Sequence, residues 1–89
     1  NLSPCYPNPF NSSTVLQYEL PEEMQTTLQI YSITGQKIKT LVDSSIPAGK
    51  YSLIWDGTDD NDSHVSSGVY VVKLSTNKYT ITNKMLLMK

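Results

Sequence analysis

Residues 14–20 read TVLQYEL, with an apolar side chain at every second position and polar Gln17 and Glu19 between them. Because successive side chains of a strand point to opposite faces of a sheet, Leu16, Tyr18 and Leu20 should share one buried face. The stretch therefore predicts a strand that buries one face and exposes the other.

The same kind of segment, separated by turn signals, recurs along the rest of the chain. The expected strands cover residues 26–33, 37–42, 51–55, 69–74 and 79–88. Residues 69–74 are so dense in apolar side chains that we expect a strand central in a sheet or buried on both faces. Gly35, within residues 33–36, fits a tight hairpin turn that requires a positive φ.

Composition points to the same class of fold. β-Branched and aromatic residues are frequent, whereas Ala48 is the only alanine, and this balance favours strands over helices. Six or seven short strands with turn signals about every 8–12 residues are typical of a β-sandwich. The sequence predicts an all-β fold, an immunoglobulin-like β-sandwich of about seven antiparallel strands. Residues 1–89 are expected to form one domain with a Pro-rich N-terminal segment at residues 1–13.

Charge and hydropathy exclude several classes of partner. The 89 residues carry seven lysines, no arginine and eight acidic residues, for a formal net charge of −1. Binding to nucleic acid depends on clustered cations, and these lysines are spread through the chain, so no nucleic-acid partner is expected. No apolar run is long enough to span a membrane. The chain opens without Met or a signal peptide and reads as a piece cut from a longer protein.

Catalytic chemistry finds little support in the sequence. His64 is the only histidine and lies in a polar loop, where a solvated side chain is the ordinary interpretation. Cys5 is the only cysteine, which excludes an internal disulfide, and it has no nearby histidine to activate it as a nucleophile. We therefore expect no enzyme activity, no catalytic residue and no cofactor.

Two groups of residues nevertheless leave open whether they bind a ligand or serve the fold. The polar loop at residues 56–67 begins with a run of oxygen-bearing side chains: Asp56, Asp59, Asp60, Asn61 and Asp62. Turn chemistry is the favoured interpretation and a calcium site the alternative, although the spacing is not that of an EF-hand. Trp55 and the tyrosines could form a sugar-stacking platform, but Trp55 and Tyr51 share the parity of Leu53, which favours the core.

Seven motifs, taken in order, resemble one family over essentially the whole chain. They read YPNPFN (residues 6–11), YELP (18–21), IYSITGQ (30–36), PAGKY (47–51), WDGTD (55–59), SGVY (67–70) and KMLLMK (84–89). Together they resemble the type A C-terminal sorting domain of the bacterial type IX secretion system. That domain is a relative of the immunoglobulin-like domain of the flagellar hook-cap protein.

The resemblance assigns structural roles to several of these residues. Prolines should hold the first segment extended, an aromatic ring should close the end of the sandwich, and glycines should occupy the turns. A tryptophan should anchor the core, and a tyrosine is placed for a tyrosine-corner hydrogen bond. The residues concerned are Pro7, Pro9, Phe10, Gly35, Gly49, Gly57, Gly68, Trp55 and Tyr70. The sequence departs from the family at two places. One is Ser12, and the other is Asn61-Asp62, where the family usually has a polar-Gly turn. Both changes are compatible with turn geometry.

The resemblance implies a sorting signal rather than a catalytic activity. The domain would carry an upstream cargo domain through the outer membrane of a Gram-negative bacterium, to be secreted or held at the cell surface. Its partners would be the secretion machinery and its surface peptidase, and the isolated domain would be a monomer. The recognised surface is expected in the last two strands, with the end of the chain favoured: Val69, Tyr70, Lys84, Met85, Leu86, Leu87, Met88 and Lys89.

Three alternatives to this hypothesis remain open on the sequence. The terminal segment could be only a closing edge strand. The domain could be a carbohydrate-binding or spacer module of a secreted hydrolase. It could also be an adhesive or structural domain of the filament-cap type.

Overall fold

A computed structural model of the chain describes Leu2 and residues 13–88, and within that part it contains six strands. They are β1 (Thr14–Leu20), β2 (Met24–Ser32), β3 (Lys37–Ile46), β4 (Gly49–Trp55), β5 (Gly68–Thr76) and β6 (Thr80–Leu87). The strand pairs in this part of the chain are antiparallel, and the all-β prediction is confirmed. The roles expected of Cys5, Pro7, Pro9 and Phe10 fall outside the described residues.

The strands form two sheets that share one core. In the smaller sheet β1 pairs with β4, from Thr14 opposite Trp55 to Leu20 opposite Gly49. The larger sheet has the order β3-β2-β5-β6. Each sheet buries one face against the other, which is the arrangement of a β-sandwich.

The core takes alternate residues of β1, β2, β5 and β6, whereas β3 contributes only half-buried side chains. The apolar side chains that are buried are Leu2, Leu16, Tyr18, Leu20, Met24, Leu28, Ile30, Trp55, Tyr70, Val72, Leu74, Met85 and Leu87. The alternation read in residues 14–20 is therefore confirmed, because Leu16, Tyr18 and Leu20 are all buried. Outward positions between them remain exposed, as Gln17 and Glu19 do.

The predicted end of one strand needs correction. β3 runs on to Ile46, beyond the predicted end at residue 42, because its polar second half is held by the ladder with β2, in which Ser44 faces Thr26. For residues 69–74 the first of the two expected alternatives holds: β5 lies inside the larger sheet, while Val69 is 38% exposed and alternate residues face outward.

Gly35 makes the turn between β2 and β3. Its φ of 92° lies in the left-handed region, and its N–H donates to the Ser32 carbonyl at 3.0 Å. A residue with a Cβ is strained in that conformation, which explains why glycine stands there. The turn keeps β2 and β3 adjacent.

Candidate functional site

The segment between β4 and β5, residues 56–67, which we call the acidic loop, is organised by its own carboxylates. Asp59 Oδ1 accepts the backbone N–H groups of Asn61 at 2.9 Å and Ser63 at 3.0 Å. Asp62 takes a φ of 62°, and its N–H donates to the Asp59 carbonyl at 3.0 Å. These are the local bonds by which aspartates stabilise turns. Asn61-Asp62 makes this turn without a glycine because Asp62 tolerates the left-handed region.

Asp60 ties the acidic loop to the outer edge of β3. Its N–H donates to the Ile38 carbonyl at 3.0 Å, and its Oδ1 accepts the Thr40 N–H at 3.1 Å. Lys37 Nζ lies 3.9 Å from the other carboxylate oxygen. The loop therefore covers part of a strand edge that would otherwise offer hydrogen bonds to another chain.

Thr58 joins Asp56 to Lys39 at the base of the acidic loop. The Thr58 hydroxyl donates to Asp56 Oδ1 at 2.5 Å, and Lys39 Nζ donates to the same hydroxyl at 2.9 Å. The hydrogen bond from Thr58 is the main reason that the pKa of Asp56 is lowered; partial burial opposes the shift and the charge of Lys39 supports it. Lys39 Nζ also lies 3.4 Å from Asp62 Oδ1.

The arrangement of the acidic loop favours turn chemistry over a calcium site. Within Leu2 and residues 13–88, no group of three or more His, Cys, Asp or Glu side chains converges to hold a metal ion. A calcium ion needs several oxygens directed at one point, whereas Asp59 and Asp60 direct theirs at backbone N–H groups of different segments. His64 is exposed and forms an isolated β-bridge with Thr58.

Trp55 and Tyr70 anchor the two ends of the acidic loop in the core. The indole N–H of Trp55 donates to the Thr58 carbonyl at 2.9 Å, and the Tyr70 hydroxyl donates to the Ser66 carbonyl at 2.6 Å. The two rings meet edge to face, with centroids 5.4 Å apart. Trp55 is fully buried, so its ring is not available to stack on a sugar in the folded domain. The bond from Tyr70 has the geometry of a tyrosine corner.

The expected recognition residues divide between the core and the surface. Tyr70, Met85 and Leu87 are 6%, 1% and 1% exposed, so a partner of the folded domain cannot reach most of their surface. The three apolar residues Val69, Leu86 and Met88 are 38%, 39% and 49% exposed, and we call them the terminal apolar patch.

The terminal apolar patch lies on the outward face of the β5–β6 pair. Val69 is directly opposite Leu86 in the ladder, and exposed Lys84 lies opposite Val71 on the same face. Side chains directly opposite in an antiparallel pair are close enough to act together. Lys89, the remaining predicted recognition residue, lies outside the described residues.

Sequence reasoning missed a groove between β1 and the start of β6. Glu19 and Pro21 line one side, Tyr79 and Ile81 the other, around a volume of about 580 Å³. The hydroxyl of Tyr79 is buried and has no hydrogen-bond partner among the described residues. No local pattern signals this groove, because its two walls come from opposite ends of the sequence.

Leu2 contacts both β1 and β6. It forms an antiparallel bridge with Tyr18 of β1, and its carbonyl accepts the side-chain N–H of Asn83 of β6 at 3.3 Å. Tyr18 stacks on Tyr51 with centroids 5.3 Å apart, and burial, followed by the neighbouring Tyr51, raises the pKa of Tyr18.

Among the described residues, no helix is long and apolar enough to cross a membrane.

No curated protein matches the chain. Two solved structures share its fold. PorZ, described as an essential bacterial surface component of the type IX secretion system of Porphyromonas gingivalis, aligns with a TM-score of 0.70 at 18% identity over 100% of this chain. FlgD of Xanthomonas campestris, described in connection with the hook capping that is essential for flagellar assembly, aligns with a TM-score of 0.65 at 21% identity over 96% of this chain.

The chain spans only 12% of the PorZ chain and 62% of the FlgD chain. At these identities the two alignments establish the fold. The sequence comparison goes further, because the family of the FlgD Ig-like domain matches residues 10–79, from the N-terminal segment to the residue before β6. On that match, which covers most of the sequence, the chain belongs to the FlgD Ig-like domain family.

Proposed function

We propose that this domain is a non-catalytic sorting module at the C-terminal end of a larger secreted protein. It directs that cargo through the outer membrane by type IX secretion, to the cell surface or the medium. The observation that carries the proposal is the terminal apolar patch on the last strand pair. Support also comes from the seven motifs in register and from the fold shared with a surface component of the same secretion system.

The geometry of β5 and β6 suits a recognition role. Met85 and Leu87 point into the core and fix the strand, while Leu86 and Met88 point away from it. The core therefore holds the outward side chains in a defined register against Val69. Apolar groups presented in fixed positions beside a lysine form a surface that a partner protein can bury.

The partner in this proposal is the secretion machinery together with its surface peptidase. Recognition uses Val69, Lys84, Leu86 and Met88, whereas Tyr70, Met85 and Leu87 hold these residues in place from inside. The acidic loop has no part in recognition.

A secretion assay tests the proposal. Residues 1–89 are fused to the C-terminus of a periplasm-directed fluorescent reporter and expressed in a host with type IX secretion and in its secretion-null sibling. We expect reporter outside the cells only in the competent host. Reporter retained in the periplasm of both hosts, with the domain folded, would overturn the sorting role and favour a spacer or structural domain.

Point variants locate the signal more sharply than truncation does. Deleting residues 84–89 removes Met85 and Leu87 from the core and so confounds recognition with unfolding. The double variant Leu86→Ser/Met88→Ser changes only exposed side chains and should strongly reduce export.

The matched control is Ile33→Ser/Ile54→Ser, which removes two apolar side chains that are 61% and 63% exposed elsewhere on the surface. We expect the control to be exported like the parent fusion. Equal export of both double variants would show that the terminal apolar patch is not the recognised surface.

A further inference from the structure

The outer edge of β3 is protected along its first half. Asp60 occupies that half, because its N–H donates to the Ile38 carbonyl at 3.0 Å and its carboxylate accepts the Thr40 N–H at 3.1 Å. Both register shifts in the ladder with β2 also fall there, as do both lysines of the strand, Lys37 and Lys39. Covering loops, bulges and lysines are devices by which proteins prevent an edge strand from pairing with another chain.

The second half of β3, residues 42–46 (VDSSI), has no lysine, no register shift and no covering loop, and we call it the open edge. β3 is an outermost strand of the larger sheet. Within Leu2 and residues 13–88, no segment pairs with the side of the open edge that faces away from β2. Ser44 and Ser45 are exposed, and their side chains are too small to obstruct a neighbouring backbone.

The open edge can pair with the same segment of a second copy. Residues opposite each other in an antiparallel pair direct their backbone groups in the same way, either toward the other strand or away from it, so a two-fold axis must pass through a residue position. An axis at Ser44 pairs all five residues of both copies. Val42 then lies opposite Ile46 of the second copy and Asp43 opposite its Ser45, and about four to six backbone hydrogen bonds form.

The neighbouring registers are unfavourable. An axis at Asp43 would place two carboxylates opposite each other and would require Thr40, whose N–H already donates to Asp60. An axis at Ser45 would require Pro47, which has no N–H. The position of the axis therefore follows from the limits of the open edge and from its one charge.

The side chains of the open edge suit an axis at Ser44. Val42 and Ile46 are half-buried against the core, so pairing them across the axis would extend the core at the junction of two domains. Asp43 and Ser45 are exposed, and opposite each other they bring a carboxylate to a hydroxyl rather than to a like charge. Five residues a side bury less than the roughly 1,200 Å² of a stable complex, so the association is weak and the chain is a monomer at low concentration.

We propose that the open edge is the contact surface of a two-fold dimer, in which β3 of two copies pair antiparallel about Ser44 and join the two larger sheets into one. The occupant of the edge is a second copy of this chain. β6 lies at the opposite edge of the larger sheet, so the dimer leaves the terminal apolar patch accessible. The dimer goes beyond the proposed sorting role and does not depend on it.

Sedimentation equilibrium of the 89-residue chain, from about 10 µM to about 1 mM, tests the proposal, and we expect a concentration-dependent equilibrium of monomer and dimer. Ser44→Lys puts two positive charges opposite each other at the axis and should weaken the dimer about fivefold or more. Ser45→Lys is the matched control. It adds the same side chain one residue further on, opposite Asp43 of the second copy, so the dimer should be unchanged or tighter. Both positions are exposed, so both variants should keep the circular dichroism spectrum of the parent.

Cysteine cross-linking locates the axis. In a Cys5→Ser background, Ser44→Cys should form an intermolecular disulfide under oxidising conditions, because the Cα atoms of directly opposite residues lie about 4.5–5.5 Å apart. Ser45→Cys should not, since its two copies are offset by two residues along the strands and their Cα atoms lie about 8 Å apart.

Three results would overturn the dimer. They are a parent chain that remains monomeric at about 1 mM, equal weakening by the two lysine variants, and cross-linking at residue 45 as efficient as at residue 44. None of these measurements depends on export, so a failed secretion assay beside a confirmed dimer would count against the sorting role alone.

Discussion

The acidic loop leads into β5 and the terminal apolar patch lies at the other edge of the fold on β5 and β6, and the two regions use their side chains in opposite ways. The loop is rich in aspartate and looks like a ligand site, yet Asp59 and Asp60 direct their oxygens at backbone N–H groups of the domain itself. The terminal segment looks like ordinary strand core, yet Leu86 and Met88 are 39% and 49% exposed. Residue type alone does not tell which side chains hold the fold and which lie at the surface, whereas the partner of each polar group and the exposure of each apolar side chain do.

The largest expected effect tests whether the acidic loop is structural. Trp55→Ala removes a fully buried ring and the donor to the Thr58 carbonyl, so it should reduce the free energy of unfolding by about 3–5 kcal/mol. Urea denaturation monitored by circular dichroism measures the change. Trp55→Phe, which keeps an aromatic ring, should lose less. Near-parental stability of the alanine variant would contradict the core assignment.

A smaller effect is expected at the other anchor of the loop. Tyr70→Phe removes the hydrogen bond to the Ser66 carbonyl and should lower stability by about 1 kcal/mol. Tyr31→Phe, whose hydroxyl bonds to a side chain near the surface, should change stability by no more than about 0.5 kcal/mol. Equal losses of stability in the two variants would show that the Tyr70 hydroxyl contributes no more than the Tyr31 hydroxyl.

The pH dependence of stability tests the interactions at the base of the loop. Because the pKa of Asp56 is lower in the folded than in the unfolded chain, its contribution is present above the unfolded value, about 4, and is lost as the pH falls through the folded value. Asp56→Asn should therefore make the decline of the urea midpoint between pH 5 and pH 2 shallower. Asp43→Asn removes one negative charge from β3 instead and serves as the control. An unchanged acid profile in Asp56→Asn would show that the bond from Thr58 adds nothing to stability.

The smallest effect on stability is expected at the terminal apolar patch. Leu86→Ser/Met88→Ser replaces side chains that the core does not use, so the free energy of unfolding should change by about 0.5 kcal/mol or less per site. Thermal unfolding of the double variant measures this. A large loss of stability would show that both side chains stabilise the fold, as the side chains of the acidic loop do.

The local pattern of the sequence was sufficient to predict strands and their faces. In residues 14–20 the parity of Leu16, Tyr18 and Leu20 predicted their burial, because a strand has only two faces. Gly35 predicted the turn after β2, since only a residue without a Cβ takes a φ of 92° readily.

Contacts between distant segments could not be predicted in this way. Nothing local pairs β1 with β4 rather than with its neighbour β2, and nothing at Asp60 indicates that it bonds to Thr40 on the edge of β3. The division of residues 84–88 into core and surface also depends on which face of β6 the smaller sheet covers. The sequence predicted the segment as a unit, and the structure separates Met85 and Leu87 from Leu86 and Met88.

The burial of Met85 and Leu87 makes the fold depend on β6. A polypeptide that stops short of Met85 lacks two core side chains and the strand that pairs with β5. Such a fragment cannot close the sandwich, however intact the sequence ahead of it. A folded domain therefore requires that translation has passed residue 87, and on the proposed function export that depends on the fold would leave behind products that stop before Met85.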